Sequence, residues 1–142
     1  MSHDSSATGG CACGAVRFAT RGQPYRVGLC HCLDCRKQHG APFGAFAIFP
    51  AEQVTLSGDT AGMYASSERG RRHFCRRCGS PVFNSDMGSD EIELCVGAFD
   101  TVDLFAPTYE LWACRREAWL PDLPSVRHRY ERDRTGPQRT ED

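Results

Sequence analysis

The sequence predicts a mostly β, single-domain protein in which clustered cysteines hold short strands together. A chain of 142 residues fits one domain of ordinary size. Short runs of alternating apolar and polar residues are separated by turns that contain glycine and proline, which is typical of strands. Seven of the nine cysteines fall into three tight groups, and this spacing favours metal binding.

The predicted strands are short, and each is bounded by a turn or by a cysteine group. Val16 and Phe18 share one face of the first strand, and the second strand leads directly into Cys30. The most apolar strand is expected to be central and buried because both of its faces are apolar, and it ends at Pro50. The predicted strands cover residues 15–20, 25–29, 43–49, 54–56, 62–65, 71–74, 81–84, 91–96 and 109–114.

Helical structure is expected only as short turns. Residues 36–40 are predicted to form one such turn, which ends at Gly40 ahead of Pro42. Both ends of the chain are polar and contain little that could pack into a core. The predicted organisation is a flexible N-terminus over residues 1–8, one zinc-binding domain over residues 9–131 and a flexible C-terminal tail over residues 132–142.

The composition argues against several classes of protein. A formal net charge of -1 provides no overall field that would attract nucleic acid. The mean hydropathy of -0.47 and the absence of a long apolar run predict no membrane span. The first ten residues show neither the basic nor the apolar segment of a signal peptide, so a cytoplasmic protein is expected.

The cysteine groups have the spacing of metal ligands. They are Cys11 and Cys13, then Cys30, Cys32 and Cys35, then Cys75 and Cys78. An odd total and the lack of an export signal argue against a disulfide framework. Zinc is the ion that commonly takes such sulfur sets. The two remaining thiols, Cys95 and Cys114, are expected to be buried packing residues.

Seven thiols divide most simply into a four-sulfur site and a three-sulfur site. A structural zinc site is closed by four protein ligands, whereas a catalytic site keeps three ligands and an open position. The middle group would then be the three-sulfur site, and the two outer pairs would form the four-sulfur site. Spacing alone leaves alternatives, since one outer pair or a histidine could complete the middle group. The histidines nearest the cysteines are His31, His39 and His73, each expected to be hydrogen bonded or exposed instead.

Arginines form a further cluster in the second half of the chain. Its members are Arg69, Arg71, Arg72, Arg76 and Arg77. The simpler interpretation is a solvated face on which the aliphatic stems of the arginines pack. The alternative is a rim that binds carboxylate or phosphate groups through the planar guanidinium.

Three ordered sequence motifs surround the cysteine groups. They are Gly10-Cys11-Ala12-Cys13-Gly14-Ala15-Val16-Arg17-Phe18, Cys30-His31-Cys32-Leu33-Asp34-Cys35-Arg36-Lys37 and Phe74-Cys75-Arg76-Arg77-Cys78-Gly79-Ser80-Pro81. Together they resemble the glutathione-dependent formaldehyde-activating enzyme family, to which centromere protein V belongs. The segment from Ala106 to Trp112 resembles the closing strand of that family, so the match spans residues 9–121. One departure is Glu110, where many members of the family carry histidine.

The resemblance implies a β-tent fold of mostly antiparallel sheets with two zinc sites. The structural zinc would be bound by Cys11, Cys13, Cys75 and Cys78. The catalytic zinc would be bound by Cys30, Cys32 and Cys35. This assignment agrees with the division into four and three thiols that the spacing favours.

The function implied by the resemblance is that of a zinc-dependent carbon–sulfur lyase. A small thiol such as glutathione would bind at the second zinc, which stabilises its thiolate, and would add to a small aldehyde or release it. Arg76 and Arg77 are the candidates to bind the carboxylates of that thiol.

Two other classes of function compete with this interpretation. The first is a non-enzymatic zinc module that binds protein or nucleic acid, and the split cysteine pairs and the net negative charge argue against it. The second is a thiol redox protein. Metal ligation of Cys75 and Cys78 would remove their redox reactivity.

Overall fold

A computed structural model describes residues 5–59 and 61–141 as two β-sheets and one short α-helix. The strands are β1 (Ser6–Gly10), β2 (Arg17–Arg21), β3 (Arg26–Cys30), β4 (Gly44–Pro50), β5 (Val54–Ser57), β6 (Ala61–Ala65), β7 (Gly70–Cys75), β8 (Pro81–Asp86), β9 (Glu91–Cys95), β10 (Tyr109–Leu111) and β11 (His128–Arg129). The helix α1 spans Leu33–His39, and single 3-10 turns span Ala51–Gln53, Val96–Ala98 and Ala113–Arg115.

The strands form one large sheet and one small sheet. The large sheet has eight strands in the order β11-β10-β3-β4-β9-β8-β7-β6, and the small sheet has three in the order β1-β2-β5. Neighbouring strands are antiparallel except at β10, which is parallel to both β3 and β11. This architecture confirms the mostly β fold, with mainly antiparallel sheets, that the sequence predicts.

Strand β4 lies inside the large sheet and is buried on both faces. On one face, Phe49 packs into the core that the two sheets share. On the other face, Phe46 and Ile48 pack with Cys35 of α1. Burial on both sides explains why β4 shows no polar alternation, and it confirms the predicted central strand.

Helix α1 begins and ends at residues suited to these positions. Cys32 is its N-cap, and the Cys32 sulfur accepts a hydrogen bond from the Cys35 N–H at 3.3 Å. Gly40 ends the helix with a left-handed φ of 57°, which costs glycine little, and its N–H bonds the Arg36 carbonyl. The predicted helical turn is confirmed, although the helix starts earlier, at Leu33. Within residues 5–59 and 61–141, no helix is long and apolar enough to span a membrane.

Both ends of the chain hold more regular contacts than the sequence predicts. Residues 6–8, expected in a flexible N-terminus, belong to β1, which pairs with β2. In the expected tail, the Arg132 carbonyl accepts a hydrogen bond from the Trp112 N–H at 3.0 Å, and Arg139 donates to Asp90 at 2.9 Å. Because these contacts join backbone and polar groups, no pattern of apolar residues in the sequence predicts them. Residues 1–4 and 142 lie outside the described residues.

The last predicted strand is shorter than the sequence suggests. It spans Tyr109–Leu111, because Trp112 adopts a left-handed φ of 57° and turns the chain into a 3-10 turn. Cys114 lies in this turn and is exposed, which makes its predicted burial wrong. Cys95 is buried, as predicted.

Candidate metal and active site

The two outer cysteine pairs meet in one group. Cys11 and Cys13 lie between β1 and β2, Cys75 ends β7, and Cys78 lies in the turn that follows. Their four sulfur atoms all lie within 4.8 Å of one another. The Cys13 sulfur is 3.6 Å from the Cys11 sulfur and 3.7 Å from the Cys75 sulfur. We call these residues the four-cysteine group, and their sulfurs could hold a metal ion.

Backbone and hydroxyl donors lie beside three sulfurs of the four-cysteine group. The Val16 N–H points at the Cys11 sulfur at 3.2 Å, and the Arg77 N–H points at the Cys75 sulfur at 3.3 Å. The Ser80 hydroxyl lies 3.2 Å from the Cys78 sulfur. Hydrogen bonds from the hydroxyl and the backbone N–H of Ser80 lower the pKa of the Cys78 thiol to about 5. Since the thiolate is the form that binds metal, these donors suit a metal site.

The middle cysteines form a second group at the junction of β3 and α1. Cys30 ends β3, Cys32 caps α1, and Cys35 lies in the first turn of the helix. Their three sulfur atoms also lie within 4.8 Å of one another. The guanidinium of Arg72, from β7, donates to the Cys35 sulfur at 3.3 Å. The neighbouring thiols of Cys30 and Cys35 lower the pKa of Cys32, and the charge of Arg72 adds to this effect.

The three-cysteine group of Cys30, Cys32 and Cys35 opens onto a cavity of about 270 Å³. The sheet contributes Arg72, Asn84 and Glu93 to its lining, and the C-terminal part of the chain contributes Tyr109 and Trp112. Three sulfurs beside an open space fit a metal site that keeps a position for a substrate. Four sulfurs, by contrast, complete a closed tetrahedral site. The donor sets of the two groups therefore fit zinc in two different roles.

None of the histidines in residues 5–59 and 61–141 belongs to either sulfur group. His31 is fully buried and points at Glu110, with 2.7 Å between Nε2 and Oε1. His73 stacks on Phe83 at 4.2 Å, and its Nε2 lies 2.9 Å from the Ser85 hydroxyl. The ring of His39 packs edge-on against Phe46. The expectation that the histidines are not ligands is consistent with these contacts.

Glu110 is the centre of a buried charge network that sequence reasoning did not assign. Its carboxylate accepts hydrogen bonds from Arg116 at 3.0 Å and from Arg129 at 2.8 Å, in addition to the contact with His31. Burial raises the pKa of Glu110, but the hydrogen bonds from His31, Arg116 and Arg129 outweigh it and leave the pKa below its usual value. The one sequence feature that singled out position 110 was its glutamate, since many members of the family that the sequence resembles carry histidine there.

Arg72 is the member of the arginine cluster that lines the cavity. Among the described residues that line it, neither Arg76 nor Arg77 is found, and the role expected for these two arginines stays a prediction. Arg76 donates to the Asp59 carbonyl at 3.0 Å instead. Arg69 donates to the Met87 carbonyl at 2.7 Å, which fits the simpler interpretation of a surface cluster.

Trp112 forms a wall of the cavity that the C-terminal residues hold in place. Its indole N–H donates to Asp133 at 3.1 Å, and Arg132 lies over its ring at 5.3 Å. The left-handed backbone of Trp112 is uncommon for a bulky residue and is typical of positions under functional constraint.

A second cavity of about 350 Å³ adjoins the first and shares Arg72 and Asp34 with it. Lys37 of α1 and Tyr64 of β6 also line this second cavity. The two cavities thus share part of their walls, with the sulfurs of the three-cysteine group lining the first and the Lys37 ammonium lining the second.

Comparisons with known proteins identify sequences similar to this chain. The sequence model of the glutathione-dependent formaldehyde-activating enzyme family matches residues 6–115. A Halomonas elongata protein named a putative glutathione-dependent formaldehyde-activating enzyme is 35% identical over 88 residues, which are 55% of this chain and 55% of that protein. A Schizosaccharomyces pombe protein named an uncharacterized lyase is 32% identical over 75 residues, which are 53% of this chain and 54% of that protein. The chain thus spans about half the length of these curated relatives.

A solved structure also resembles the fold. A crystal structure of a Rhodobacter sphaeroides protein aligns with a TM-score of 0.54 at 20% identity, covering 68% of this chain and 91% of that chain. This likeness supports the arrangement of the strands and carries no argument about activity.

Proposed function

Because the chain belongs to the glutathione-dependent formaldehyde-activating enzyme family, we propose that it is a zinc-dependent carbon–sulfur lyase. Its substrates would be a small thiol such as glutathione and a small aldehyde such as formaldehyde, joined or separated at the carbon–sulfur bond. The observation that carries this proposal is the three-cysteine group, whose open side faces a cavity of about 270 Å³. The reactive ends of both substrates are small enough for such a cavity.

The two cysteine groups would hold zinc for different purposes. The four-cysteine group would bind a structural ion with a complete sulfur shell. The three-cysteine group would bind a second ion, which when present stabilises the thiolate form of a substrate thiol. Native mass spectrometry of protein purified without added zinc tests this assignment, and two ions per chain with no disulfide between the groups are expected. Cystines between the groups and no bound metal would contradict it.

The second cavity suits the charged body of the thiol. Glutathione carries carboxylates at a distance from its sulfur, and the Lys37 ammonium lines the cavity next to the one that holds the sulfurs. A carboxylate that reaches Lys37 would form a charge-assisted hydrogen bond. In this proposal Lys37 takes the role that the sequence suggested for Arg76 and Arg77.

The activity can be measured by exchange spectroscopy. Zinc-loaded protein is mixed with glutathione and carbon-13 formaldehyde, and NMR follows exchange between free formaldehyde hydrate and S-hydroxymethylglutathione. We expect the exchange rate to rise in proportion to the protein concentration, and Cys32→Ser to abolish the increase. An exchange rate equal to that of the protein-free mixture at every protein concentration would refute the lyase proposal.

A further inference from the structure

A row of polar side chains crosses the sheet beneath the cysteine cavity. The strand registers place Glu93 of β9 between Ile48 of β4 and Asn84 of β8, and place Arg72 of β7 next to Asn84. Directly paired residues of neighbouring strands point to the same face of a sheet. Arg72, Asn84 and Glu93 accordingly all line the cavity onto which the three-cysteine group opens.

Glu93 is the member of this row whose side chain neither packs into the shared core nor accepts a hydrogen bond from the described residues. Its neighbours Ile92 and Leu94 point to the opposite face and fill the shared core. Within residues 5–59 and 61–141, no hydrogen bond to the Glu93 carboxylate is found, whereas Asn84 and Arg72 both bond Gln38 of α1. A carboxylate that lines a cavity and accepts no hydrogen bond from the described residues is free to bind a ligand there.

The surroundings of Glu93 shift the pKa of its carboxyl upward. Burial raises the pKa of its carboxyl, and the nearby charges of Asp86 and Glu91 act in the same direction. The guanidinium groups of Arg72 and Arg26 oppose this effect without cancelling it. A carboxyl with a raised pKa accepts and returns a proton more readily near neutral pH than an ordinary one.

We propose that Glu93 carries the proton of the reaction and that Arg72 stabilises the aldehyde oxygen, a proposal that rests on the function proposed above. During addition, the thiol sulfur forms a bond to the carbonyl carbon, and the π electron pair of the carbonyl moves onto its oxygen. The proton of the thiol passes to a carboxylate oxygen of Glu93 and from there to the new alkoxide oxygen. The product is a neutral S-hydroxymethyl adduct, and Glu93 returns to its starting state. Cleavage follows the same steps in reverse.

Arg72 is placed to stabilise the charge that develops on the oxygen. Its guanidinium lies 3.3 Å from the Cys35 sulfur, lines the same cavity as Glu93, and is held by the Ser66 hydroxyl at 3.2 Å. A fixed cation beside the reacting carbonyl stabilises the alkoxide without rearranging during the reaction.

The test uses variants of Glu93 in the exchange experiment described above. Glu93→Gln keeps the shape of the side chain and removes its ability to carry a proton, so we expect the exchange rate to fall about 100-fold or more. Glu117→Gln is the matched control, because the Glu117 carboxylate also faces an arginine, with Arg36 at 2.8 Å. Glu117 is not among the described residues that line the cavity, and its variant should keep the wild-type rate.

Chemical rescue separates a proton carrier from a structural residue. Glu93→Ala leaves room for formate, which we expect to restore part of the rate beyond its effect on wild-type protein and on the protein-free mixture. Glu93→Asp keeps the carboxyl at a shorter reach and should retain more activity than Glu93→Gln. It also provides the test of a proton carrier if the other variants do not fold.

The outcomes distinguish this inference from the proposed function. A zinc-loaded Glu93→Gln protein with the wild-type rate overturns the inference and leaves the lyase proposal intact. A loss that formate does not repair, with equal rates for the Asp and Gln variants, also overturns it. Wild-type protein that does not accelerate exchange overturns both proposals.

Discussion

At the scale of single residues, Glu110 shows how this fold accommodates a buried charge. The carboxylate is fully buried and is bonded to His31, Arg116 and Arg129. His31 lies between two residues of the three-cysteine group, and the two arginines belong to the C-terminal part of the chain. The network therefore joins the end of the chain to the segment that holds the candidate active site.

We expect Glu110→Gln to lower the free energy of unfolding by about 3 kcal/mol, because it leaves the largely buried Arg116 guanidinium without its counter-charge and removes one of the two carboxylate partners of Arg129. Urea denaturation at neutral pH measures this loss. Glu117→Gln is the control, since its carboxylate pairs with Arg36 at a half-exposed site where an ion pair contributes about 1 kcal/mol or less. Equal losses in the two variants would show that the buried network adds little.

The same network predicts how stability depends on pH. The pKa of Glu110 is lower in the folded protein than its ordinary value of 4.5. Its contribution is therefore fully present above that value and is lost as the pH falls through the folded pKa. As the pH falls below 4.5, the free energy of unfolding should fall more steeply in wild-type protein than in Glu110→Gln. Parallel curves from denaturant titrations across this range would contradict the prediction.

Gly28 allows the ring of Tyr109 to lie against the backbone of β3. A Cβ atom at position 28 would come within 2.4 Å of the Tyr109 Cζ, and the ring is buried. We expect Gly28→Ala to destabilise the protein by about 1–3 kcal/mol through overpacking. Gly97→Ala is the control, because a Cβ there would meet no described atom within 4 Å. Thermal melts of both variants decide the matter, and equal melting temperatures would refute it.

At the scale of elements, α1 connects the two cavities. Cys35 faces the cavity of the three-cysteine group, and Lys37 lines the adjoining one. We expect Lys37→Met to weaken glutathione binding about 2- to 5-fold, the effect of losing one exposed ion pair. Binding of an uncharged thiol such as 2-mercaptoethanol should not change. Isothermal titration calorimetry measures both affinities.

Arg77→Met provides the matched control for Lys37. It removes one cation of the arginine cluster without altering a described residue that lines either cavity. If Arg77→Met weakens glutathione binding while Lys37→Met does not, the sequence-based choice of Arg77 was correct and the role proposed for Lys37 is wrong.

The elements also show which parts of the site a sequence can predict. The three-cysteine group follows from local spacing, because Cys30, Cys32 and Cys35 need only one strand end and one helical turn to converge. The four-cysteine group does not follow from spacing alone, because its two pairs are far apart in the sequence. The cavity wall, by contrast, depends on how the strands pair. The residues around Arg72 and Glu93 in the sequence do not indicate that β7 and β9 both pair with β8. In the sequence of β9, Glu93 alternates with the apolar Ile92 and Leu94, which separates the two faces of the strand but indicates no ligand for the polar face.

At the scale of the whole molecule, the four-cysteine group joins the two sheets. Cys11 and Cys13 follow β1 of the small sheet, whereas Cys75 ends β7 of the large sheet. The three-cysteine group lies within one strand end and the helix beside it, so an ion there constrains little of the chain. Loss of the two sites should consequently have very different costs.

We expect Cys78→Ser to unfold the protein or make it insoluble, and Cys32→Ser to remain folded. Binding of a structural zinc contributes about 10–16 kcal/mol, which is comparable to the whole stability of a domain at about 5–15 kcal/mol. Cys78 is exposed, so its replacement removes a ligand while disturbing little packing. Cys32→Ser should lose at most the second zinc and with it the thiol-dependent exchange. Circular dichroism, thermal melts and zinc analysis of both variants provide the test, and an unfolded Cys32→Ser beside a native Cys78→Ser would reverse the assignment of the two sites.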